Sequence, residues 1–533
     1  WPVEGTTGYD FAGALTALFC EPAGLAALAD DYSDRTGMPA FDEIVYEKKK
    51  FVIENLFPGE LVALTRELER IAKVLNVPVG DTALRHCIAE LSAALEVYRT
   101  YIRSDEIDER DRAAISRALA SADKRAPRVL DEGLKLLERV LLNDDIPIHA
   151  ERMRLDFIAH WQQFTGPATA KGVEDTAFYT HHSLLAVNEV GGHPPRVDTT
   201  IDSFHRWMSK RSGAWPHTLN ASSTHDTKRS EDVRARIQVL SELSEEWIRA
   251  LDGWIKPKGP PSVNEQILVY QTLIGVWPLA EHERASLPER MHAFLQKAAR
   301  EAKHHSSWLE PDEEYEKQLY AFADALLANS AFLAEFEKLQ QNTAWLGALN
   351  SLSQLVIKLG APGVPDIYQG NEAWNYSLVD PDNRRPVDFL ALSKLLASLP
   401  EMPGAAGVTD MLANWQDGRI KLHVTRTGLR TRREKRELFN RGVYLPVKAH
   451  GTFADNVIAF MRRDANEWAL IVAGRYYTKL GEGVVGDAWV DSALSLPEGA
   501  PADWLNVLTG EHVGSTRVSD IFRTAPFAIL LPA

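Results

Sequence analysis

The sequence predicts an α/β fold with large α-helical insertions, containing part of a (β/α)8 barrel and, after it, a C-terminal antiparallel β domain. Three patterns indicate this fold. A short strand-like run at 217–223 leads into His225-Asp226 and then into a helix, and strand ends are where β/α barrels place functional side chains. Apolar residues recur with helical spacing over long stretches. Beyond about residue 420, short apolar runs alternate with turn residues, as in antiparallel sheets.

Helices are predicted over most of residues 41–160. Pro58-Gly59 begins one of them, and Pro78 and Gly80 separate it from the next, because proline and glycine interrupt helices. A second helical stretch is predicted at 237–345, broken by the proline-rich segment 256–261. The helix after Pro58 has apolar residues at intervals of three, four and seven, which form one face that can be buried. These residues are Leu56, Leu61, Leu64, Leu68, Ile71 and Leu75.

The predicted β domain occupies residues 417–533. Its strands are expected at 457–460, 468–472 and 527–531, where short apolar runs lie between turn residues. The basic run 430–436 interrupts this pattern, and a solvated helix explains it better than a binding patch does.

The composition limits the classes of molecule that the chain is expected to bind. The chain has 533 residues, enough for two or three units, and a net charge of −15, which disfavours nucleic acid and anionic membranes but suits a neutral substrate. Its two cysteines, Cys20 and Cys87, predict no disulfide framework and favour a reducing cytoplasm. No apolar run approaches the roughly 18 residues of a membrane span. We expect no metal and no cofactor.

The strongest chemical signal lies in the segment 223–232. Ser230 is predicted to cap the following helix, and Glu231 and Asp232 to favour its dipole from the first turn, which gives both acids a structural explanation. The pair His225-Asp226 suits sugar chemistry. A retaining glycosidase uses two carboxyl groups roughly 5–5.5 Å apart, and a third carboxylate can stabilise the oxocarbenium-like transition state. Alone, the pair is a weak indication, because satisfied polar pairs are common.

Neighbouring motifs strengthen this interpretation. Thr224-His225-Asp226 resembles the signature that ends barrel strand seven in the α-amylase superfamily, and 363–372 resembles its strand-eight signature. Within that superfamily, several longer motifs, in matching order, resemble the maltooligosyltrehalose synthase family. They lie at 5–10, 165–167, 171–179, 188–192, 223–236 and 377–388.

The resemblance implies that the chain is a C-terminal part of such a protein and carries barrel strands six to eight. The implied barrel segments are 1–40 with strand six, 161–236 with strand seven and the site loops, and 346–416 with strand eight. The stretches 41–160 and 237–345 are then insertions, and 417–533 is the β domain.

The resemblance also implies a reaction, in which the reducing-end α-1,4 bond of a maltooligosaccharide becomes an α,α-1,1 bond. Asp226 is then the carboxylate that stabilises the transition state, His225 donates to a sugar hydroxyl, and Lys228 reaches the reducing-end glucose. The implied pocket wall and further sugar contacts are Lys171, Tyr9, Phe178, Asp380 and Arg384.

Each of these residues has a structural alternative. Lys171 and Lys228 can simply pair with Glu174, Asp175 or Glu231. Tyr9 and Phe178 can be core aromatics. The charged residues of 380–385 can form a salt network within their loop.

The two carboxyl groups that break the sugar bond are not identified in this sequence. The family's strand-four Asp-Gly-x-Arg-x-Asp motif and its strand-five glutamate have no counterpart here. Because strands six to eight cannot close a barrel, we expect a companion N-terminal segment, as a separate chain, a cleaved half or residues of a longer protein. Without it the chain is expected to be inactive. The alternatives are another α-amylase-type glucan hydrolase or transferase, and a non-catalytic glucan-binding remnant.

Overall fold

The computed structural model describes residues 3–125, 127–143, 145–192, 194, 200–256, 261–481 and 483–533. The chain forms two compact units. Unit 1 comprises 1–37, 182–296 and 316–533, and unit 2 comprises 38–181 and 297–315. Trp1 and Pro2, at the start of the predicted strand-six segment, lie outside the described residues, as does 257–260 of the predicted proline-rich break.

Helices account for most of the regular structure. The first ten are α1 (Tyr9–Leu18), α2 (Pro22–Thr36), α3 (Phe41–Asn55), α4 (Pro58–Val74), α5 (Asp81–Ala94), α6 (Glu109–Arg125), α7 (Asp131–Leu142), α8 (Glu151–Thr169), α9 (Ile201–Ala214) and α10 (Glu231–Glu242). They are followed by α11 (Ser244–Trp254), α12 (Val263–Val276), α13 (Leu287–Ala302), α14 (Glu313–Ala328), α15 (Ser330–Gly360), α16 (Phe389–Ser398), α17 (Gly404–Ala413), α18 (Arg419–Glu434), α19 (Arg436–Arg441) and α20 (Val518–Ile521).

The strands are short and most lie near the C-terminus. They are β1 (Leu219–Asn220), β2 (Val364–Pro365), β3 (Val443–His450), β4 (Val457–Asp464), β5 (Glu467–Gly474), β6 (Ala493–Ser495), β7 (Trp504–Asn506), β8 (His512–Val513) and β9 (Phe527–Pro532).

Unit 2 is a helical body made largely of α3 to α8. Its α4 shows why the apolar repeat forms a helix. Proline stands at the first helical position, where the missing N–H costs nothing, and the face with Leu61, Leu64 and Leu68 is buried in the core of the unit. Leu56, which shares the repeat, precedes the helix and is exposed.

In unit 1, the long helix α15 forms the centre of the core. Its last 14 residues, from Gly347 to Gly360, are all buried, and it packs against α10, α18, β5 and β9. A Cβ at Gly347 would lie 2.7 Å from the Cα of Arg236 on α10, so a side chain there would force the two helices apart.

The two strands before the C-terminal region pair in parallel. Leu219 of β1 lies opposite Val364 of β2, and Asn220 lies opposite Pro365. The carbonyl of Thr6 accepts a hydrogen bond of 3.3 Å from the N–H of Leu219, which brings the 5–10 segment beside β1. Among the residues described, parallel pairing is limited to β1 and β2, so the barrel and the predicted six-part division of the chain stay predictions.

The predicted C-terminal antiparallel sheet is confirmed. Seven strands pair in the order β6-β3-β4-β5-β9-β7-β8, and each neighbouring pair is antiparallel. Just after β5, the guanidinium of Arg475 donates a hydrogen bond to the carbonyl of Leu18. The hydroxyl of Tyr476 donates to the backbone carbonyl of Cys20 at 2.7 Å. The end of α1 is thus held by residues that follow β5.

Helices α18 and α19 precede this sheet within the predicted 417–533 segment. The basic run 430–436 is largely helical, as expected, but one of its arginines is half-buried and bonded to the backbone. Arg432 donates to the carbonyls of Leu359 and Gly363 at 2.7 Å each, which satisfies backbone groups at the end of α15. Burial lowers the pKa of Arg432 to about 10.

In the described part of the chain, no single helix is long and apolar enough to cross a membrane. Two bent helix pairs, α1 with α2 and α14 with α15, meet the length and composition criteria together.

Glu242, at the end of α10, makes the stability of the chain depend on pH. Its carboxylate accepts bonds from the Thr478 N–H at 3.2 Å and the Thr478 hydroxyl at 3.1 Å, and burial raises its pKa from 4.5 to about 7. The folded chain therefore favours the protonated form of Glu242. The stability that this provides is fully present below pH 4.5, the pKa in the unfolded chain, and is lost as the pH rises through about 7. We expect Glu242→Gln to remove a loss of about 3 kcal/mol between pH 4.5 and 8.

The measurement is the calorimetric unfolding midpoint of both proteins at several pH values. As the pH rises, the unfolding midpoint of the wild-type protein should fall relative to that of Glu242→Gln. Glu245→Gln, at an exposed position of α11, is the matched control and should follow wild type. Parallel curves for wild type and Glu242→Gln would refute the assignment.

Candidate active site

The loop between β1 and α10, residues 221–230, presents His225 and Asp226 to solvent. Two threonines fold it: the Thr227 hydroxyl donates to the Thr224 carbonyl at 3.0 Å, and the Asp226 N–H donates to the Thr224 hydroxyl at 3.1 Å. Among the described residues, neither the Asp226 carboxylate nor the His225 ring has a hydrogen-bonding partner. Both side chains are therefore accessible to a ligand, while the backbone beneath them is ordered by local bonds.

A buried carboxylate anchors the far side of this loop. Glu189 is only 2% exposed, and its Oε1 accepts from the N–H groups of Lys228 at 2.7 Å and Val190 at 2.9 Å. Its Oε2 accepts from the N–H of Arg229 at 3.1 Å and lies 3.4 Å from Nη1 of Arg234. Charge-assisted bonds of this kind are stronger than neutral ones, so Glu189 fixes the backbone at Lys228.

Sequence reasoning placed Glu189 inside the motif 188–192 but gave it no role. The available signal was an acidic residue beside valine and two glycines, a setting that does not favour a solvated charge. Its partners lie about 40 residues further along the chain, and no local pattern reveals them.

A second loop, 377–388, holds the opposite side. The side-chain amide of Asn383 donates to the His225 carbonyl at 3.1 Å and to that of Thr224 at 3.4 Å. This contact brings the loop with Asp380, which is half-buried, and Arg384, which is exposed, against the loop with Asp226.

Asp382 organises the same loop. It accepts two bonds from the guanidinium of Arg290 on α13, at 3.0 and 2.9 Å, and one from the Leu378 N–H at 2.8 Å. Arg385 lies 2.9 Å from it as well. For Asp382 and Arg385, the salt network is therefore the observed role. A cavity of about 330 Å³ lies on this side, lined by Asp380 among others.

Tyr9 also lies at the site. Its hydroxyl is 3.3 Å from the Thr224 hydroxyl, and its ring is half-buried. The preceding Gly8 has φ 92°, and a Cβ there would lie 2.5 Å from the Ala221 nitrogen, so only glycine allows this approach. The structure thus brings together Tyr9, the 221–230 loop and the 377–388 loop.

Lys171 and Phe178 lie in unit 2 and have structural partners there. Lys171 lies in the π-helical turn Ala170–Glu174, and Asp175 directly follows it. The Lys171 ammonium is 2.6 Å from the Asp175 carboxylate. Phe178 is 3% exposed and stacks on Phe41, with ring centroids 5.9 Å apart. These are the contacts that the structural alternatives describe, and the sugar contacts of both residues stay predictions.

Four buried charged side chains lie directly below the 221–230 loop, and we refer to Glu231, Asp232, Lys358 and Lys421 as the buried quartet. The Lys421 ammonium is 2.8 Å from a carboxylate oxygen of Glu231 and 2.8 Å from one of Asp232. The Lys358 ammonium lies 3.3 Å from Glu231 and donates to the Ser222 hydroxyl at 2.6 Å.

Mutual attraction favours the charged forms of two members of the quartet, Glu231 and Lys421. Burial by itself would raise the pKa of Glu231, but Lys358 and Lys421 outweigh it and hold that pKa well below the usual range. Burial would lower the pKa of Lys421, and the two carboxylates reverse this and raise it. For the other two members burial is the larger effect: it raises the pKa of Asp232 and lowers the pKa of Lys358.

The sequence placed these residues correctly: Ser230 is at the cap position of α10, and Glu231 and Asp232 lie in its first turn. The ion pairs that bury both acids were not predicted. Ser230 occupies the cap position, yet its hydroxyl donates to the Asn375 carbonyl and makes no capping bond. The hydroxyl of Ser223 instead accepts the first helical N–H, that of Glu231, at 2.8 Å.

Lys228 is 4% exposed. Glu231, one of the partners that the structural alternative gave to Lys228, is bonded to Lys358 and Lys421.

Within the described ranges, no group of three or more His, Cys, Asp or Glu side chains is arranged to hold a metal ion.

Comparison with known proteins identifies the relatives of this chain. No protein-family profile matches it. A putative maltooligosyl trehalose synthase of Mycobacterium tuberculosis is 32% identical over 536 residues, which cover 99% of this chain and 63% of that protein. The chain is therefore homologous to such synthases along almost its whole length, but it spans only about 63% of theirs.

Solved structures give the same result. Maltooligosyltrehalose synthase from Arthrobacter ramosus matches with a TM-score of 0.83 and 32% identity, over 100% of this chain and 64% of that one. A hypothetical maltooligosyl trehalose synthase from Sulfolobus tokodaii matches with a TM-score of 0.73 and 29% identity, over 100% and 63%. The helix-rich fold with its C-terminal antiparallel sheet is thus that of these synthase structures.

Replacing Lys421 by methionine should destabilise unit 1 strongly. The change leaves two buried carboxylates with one remaining ammonium, and breaking a buried ion pair in this way costs about 3–5 kcal/mol. Urea unfolding followed by circular dichroism measures the loss.

Lys435→Met provides the matched control, because Lys435 forms a partly exposed ion pair of 2.7 Å with Glu467. Its loss should cost less than about 1 kcal/mol. Equal destabilisation by the two substitutions would contradict the role assigned to the quartet.

Proposed function

We propose that this chain, a homologue of the maltooligosyltrehalose synthases, is the substrate-holding part of an enzyme that converts the reducing-end α-1,4 bond of a maltooligosaccharide into an α,α-1,1 bond. The loop 221–230 carries the proposal. Its Asp226 carboxylate has no partner in the described residues, while Glu189 and Asn383 hold the backbone on either side. A carboxylate that is fixed but not neutralised can stabilise positive charge developing on a substrate.

The proposed reaction exchanges one glycosidic bond for another. A carboxylate nucleophile attacks the anomeric carbon of the penultimate glucose, and an acid protonates O4 of the terminal glucose, which leaves. The freed glucose turns within its pocket. Its own anomeric hydroxyl then attacks the same carbon, gives its proton to the acid residue, which is now a carboxylate, and displaces the nucleophile. Because water would otherwise take this step, the site has to hold the neutral glucose and exclude solvent.

Each predicted site residue has a role in this scheme. Asp226 faces the oxocarbenium-like centre, His225 donates to a hydroxyl of the same sugar, and Lys228 holds the reducing-end glucose. The pocket wall and further sugar contacts are Tyr9, Lys171, Phe178, Asp380 and Arg384. The positions of Tyr9 and of the loop with Asp380 and Arg384 support this assignment, since both contact the 221–230 loop.

The nucleophile and the acid are proposed to come from a companion N-terminal segment. Parallel strands are normally covered on both faces, yet Leu219 of β1 and its neighbour Val364 of β2 are 39% and 43% exposed. Helix α16 is apolar, and none of its residues is buried. The relatives extend well beyond the length this chain covers. We propose that the segment with both carboxyl groups covers these surfaces and that the chain alone is inactive.

Lys228 and the motif 171–179 favour this reaction over that of an α-amylase-type hydrolase or transferase. The cytoplasmic location, the absence of cofactors, and the exclusion of nucleic acid and membranes as partners stay predictions.

Incubation with maltopentaose tests the proposed reaction. The full-length protein, or this chain combined with its companion segment, should yield a non-reducing product of unchanged chain length, whereas this chain alone should yield none. Chromatography with detection of reducing ends measures both. Glucose and shorter chains alone would favour a hydrolase, and binding without turnover in the complemented protein would favour the glucan-binding remnant.

Asp226→Asn in the complemented protein should lower the turnover rate by roughly 10³-fold or more, because an amide cannot stabilise the developing positive charge. The fold should be unaffected, since the Asp226 side chain is exposed and has no partner among the described residues. Initial rates with maltopentaose and the calorimetric unfolding midpoint are the two measurements.

Asp202→Asn is the matched control, since Asp202 is an exposed aspartate in the first turn of α9. It should retain the wild-type rate. An unchanged rate in Asp226→Asn would remove Asp226 from the mechanism.

A further inference from the structure

We propose that Glu189 is a positioning residue, which fixes Asp226 and Lys228 relative to the sugar and thereby decides whether the freed glucose is retained or replaced by water. The inference rests on the proposed function. Glu189 does not itself contact substrate in this scheme, because it is 2% exposed and lies behind the loop.

The geometry of the carboxylate carries the inference. Each of its oxygens faces two donors: Lys228 N and Val190 N at one, Arg229 N and Arg234 Nη1 at the other. All these donors are buried. A carboxylate is the side-chain group that accepts at both ends, since an amide presents an N–H₂ donor at one of them.

The anchored backbone is continuous with the reacting groups. Lys228 N is the anchored atom, and Asp226 precedes it by two residues in a turn that Thr224 and Thr227 close. At the other end of the turn, Asn383 holds the carbonyl of His225. With both ends fixed, a displacement at the Glu189 end moves the Asp226 carboxylate and the Lys228 side chain together.

Arg234 reinforces the anchor from α10. Its Nη1 donates to the Arg229 carbonyl at 2.6 Å and lies near Glu189, and its Nη2 donates to the Ser222 carbonyl. The guanidinium therefore connects the first and last parts of the 221–230 loop with the same carboxylate. No other carboxylate in the described residues contacts the backbone N–H groups of Lys228 and Arg229.

Two chemical consequences follow from loosening this anchor. Misplacement of a reacting group by about 1 Å can cost roughly 10²-fold in rate. A displaced Lys228 also holds the freed glucose less firmly, so water captures more of the glycosyl intermediate. The second effect changes the ratio of products, which a loss of folded protein does not.

The test is Glu189→Gln in the full-length protein, or in this chain with its companion segment, acting on maltopentaose. We expect turnover to fall about 10²-fold. The ratio of free glucose to the trehalose-type product should rise about tenfold, as for the loss of roughly one charge-assisted hydrogen bond from glucose retention. An unchanged ratio at a lower rate would show a merely structural role and overturn the inference.

Glu242→Gln is the matched control. It makes the same chemical change at a half-buried glutamate that also accepts a backbone N–H, that of Thr478, and it should leave the product ratio unchanged. If Glu189→Gln fails to fold, Glu189→Asp applies the same test, because it keeps the charge but shortens the reach. An unchanged ratio in that variant overturns the inference equally. Wild type that forms no trehalose-type product would refute the proposed function instead.

Discussion

The buried quartet is the interaction on which the arrangement of the site depends. Removing four charges from water is costly, and close pairing of opposite charges with further hydrogen bonds is what offsets that cost. Here each carboxylate contacts at least one ammonium, and the Ser351 hydroxyl and the Asn375 N–H add donors to Asp232. The four side chains come from α10, α15 and α18, so their pairing fixes how these helices meet.

This pairing also reaches the strand ends. Lys358 donates to the Ser222 hydroxyl at the start of the 221–230 loop and to the Asp366 carbonyl just after β2. The position of the loop is therefore set from the core outward, by groups that no ligand touches. Above the quartet, Glu189 and Asn383 bind backbone atoms of the loop, while the Asp226 and His225 side chains stay open to solvent. Such separation of supporting and reacting groups is how rigid sites are built.

Local sequence patterns were sufficient to predict those helices and strands whose formation depends on neighbouring residues in the sequence. The leucine repeat predicted α4 and its buried face, and the alternating runs predicted β4, β5 and β9. What the sequence could not show is long-range pairing. Glu231 and Asp232 resemble dipole caps because their partners, Lys358 and Lys421, lie 127 and 189 residues away.

The same difference between local patterns and long-range pairing explains which parts of the candidate site could be predicted from the sequence. The motif around Asp226 was visible as a strand end followed by a helix, and the structure places Tyr9 and the 377–388 loop beside it. Glu189 was missed because its acceptor role depends on N–H groups that only the folded chain brings to it. The short β1 and β2 give little period to detect, so their pairing had to be seen in the structure.

The contact between the end of α1 and the residues after β5 has a consequence for the order in which the protein can fold. The Leu18 carbonyl and its donor, Arg475, are 457 residues apart in sequence. At ribosomal rates, the helix is made on the order of half a minute or more before its partner emerges. Unit 1 is therefore a body of high contact order, in which α1 completes its bonds only after 457 further residues have been synthesised, and such topologies fold slowly. During that interval the carbonyls at the end of α1 depend on water for the hydrogen bonds that Arg475 and Tyr476 later supply.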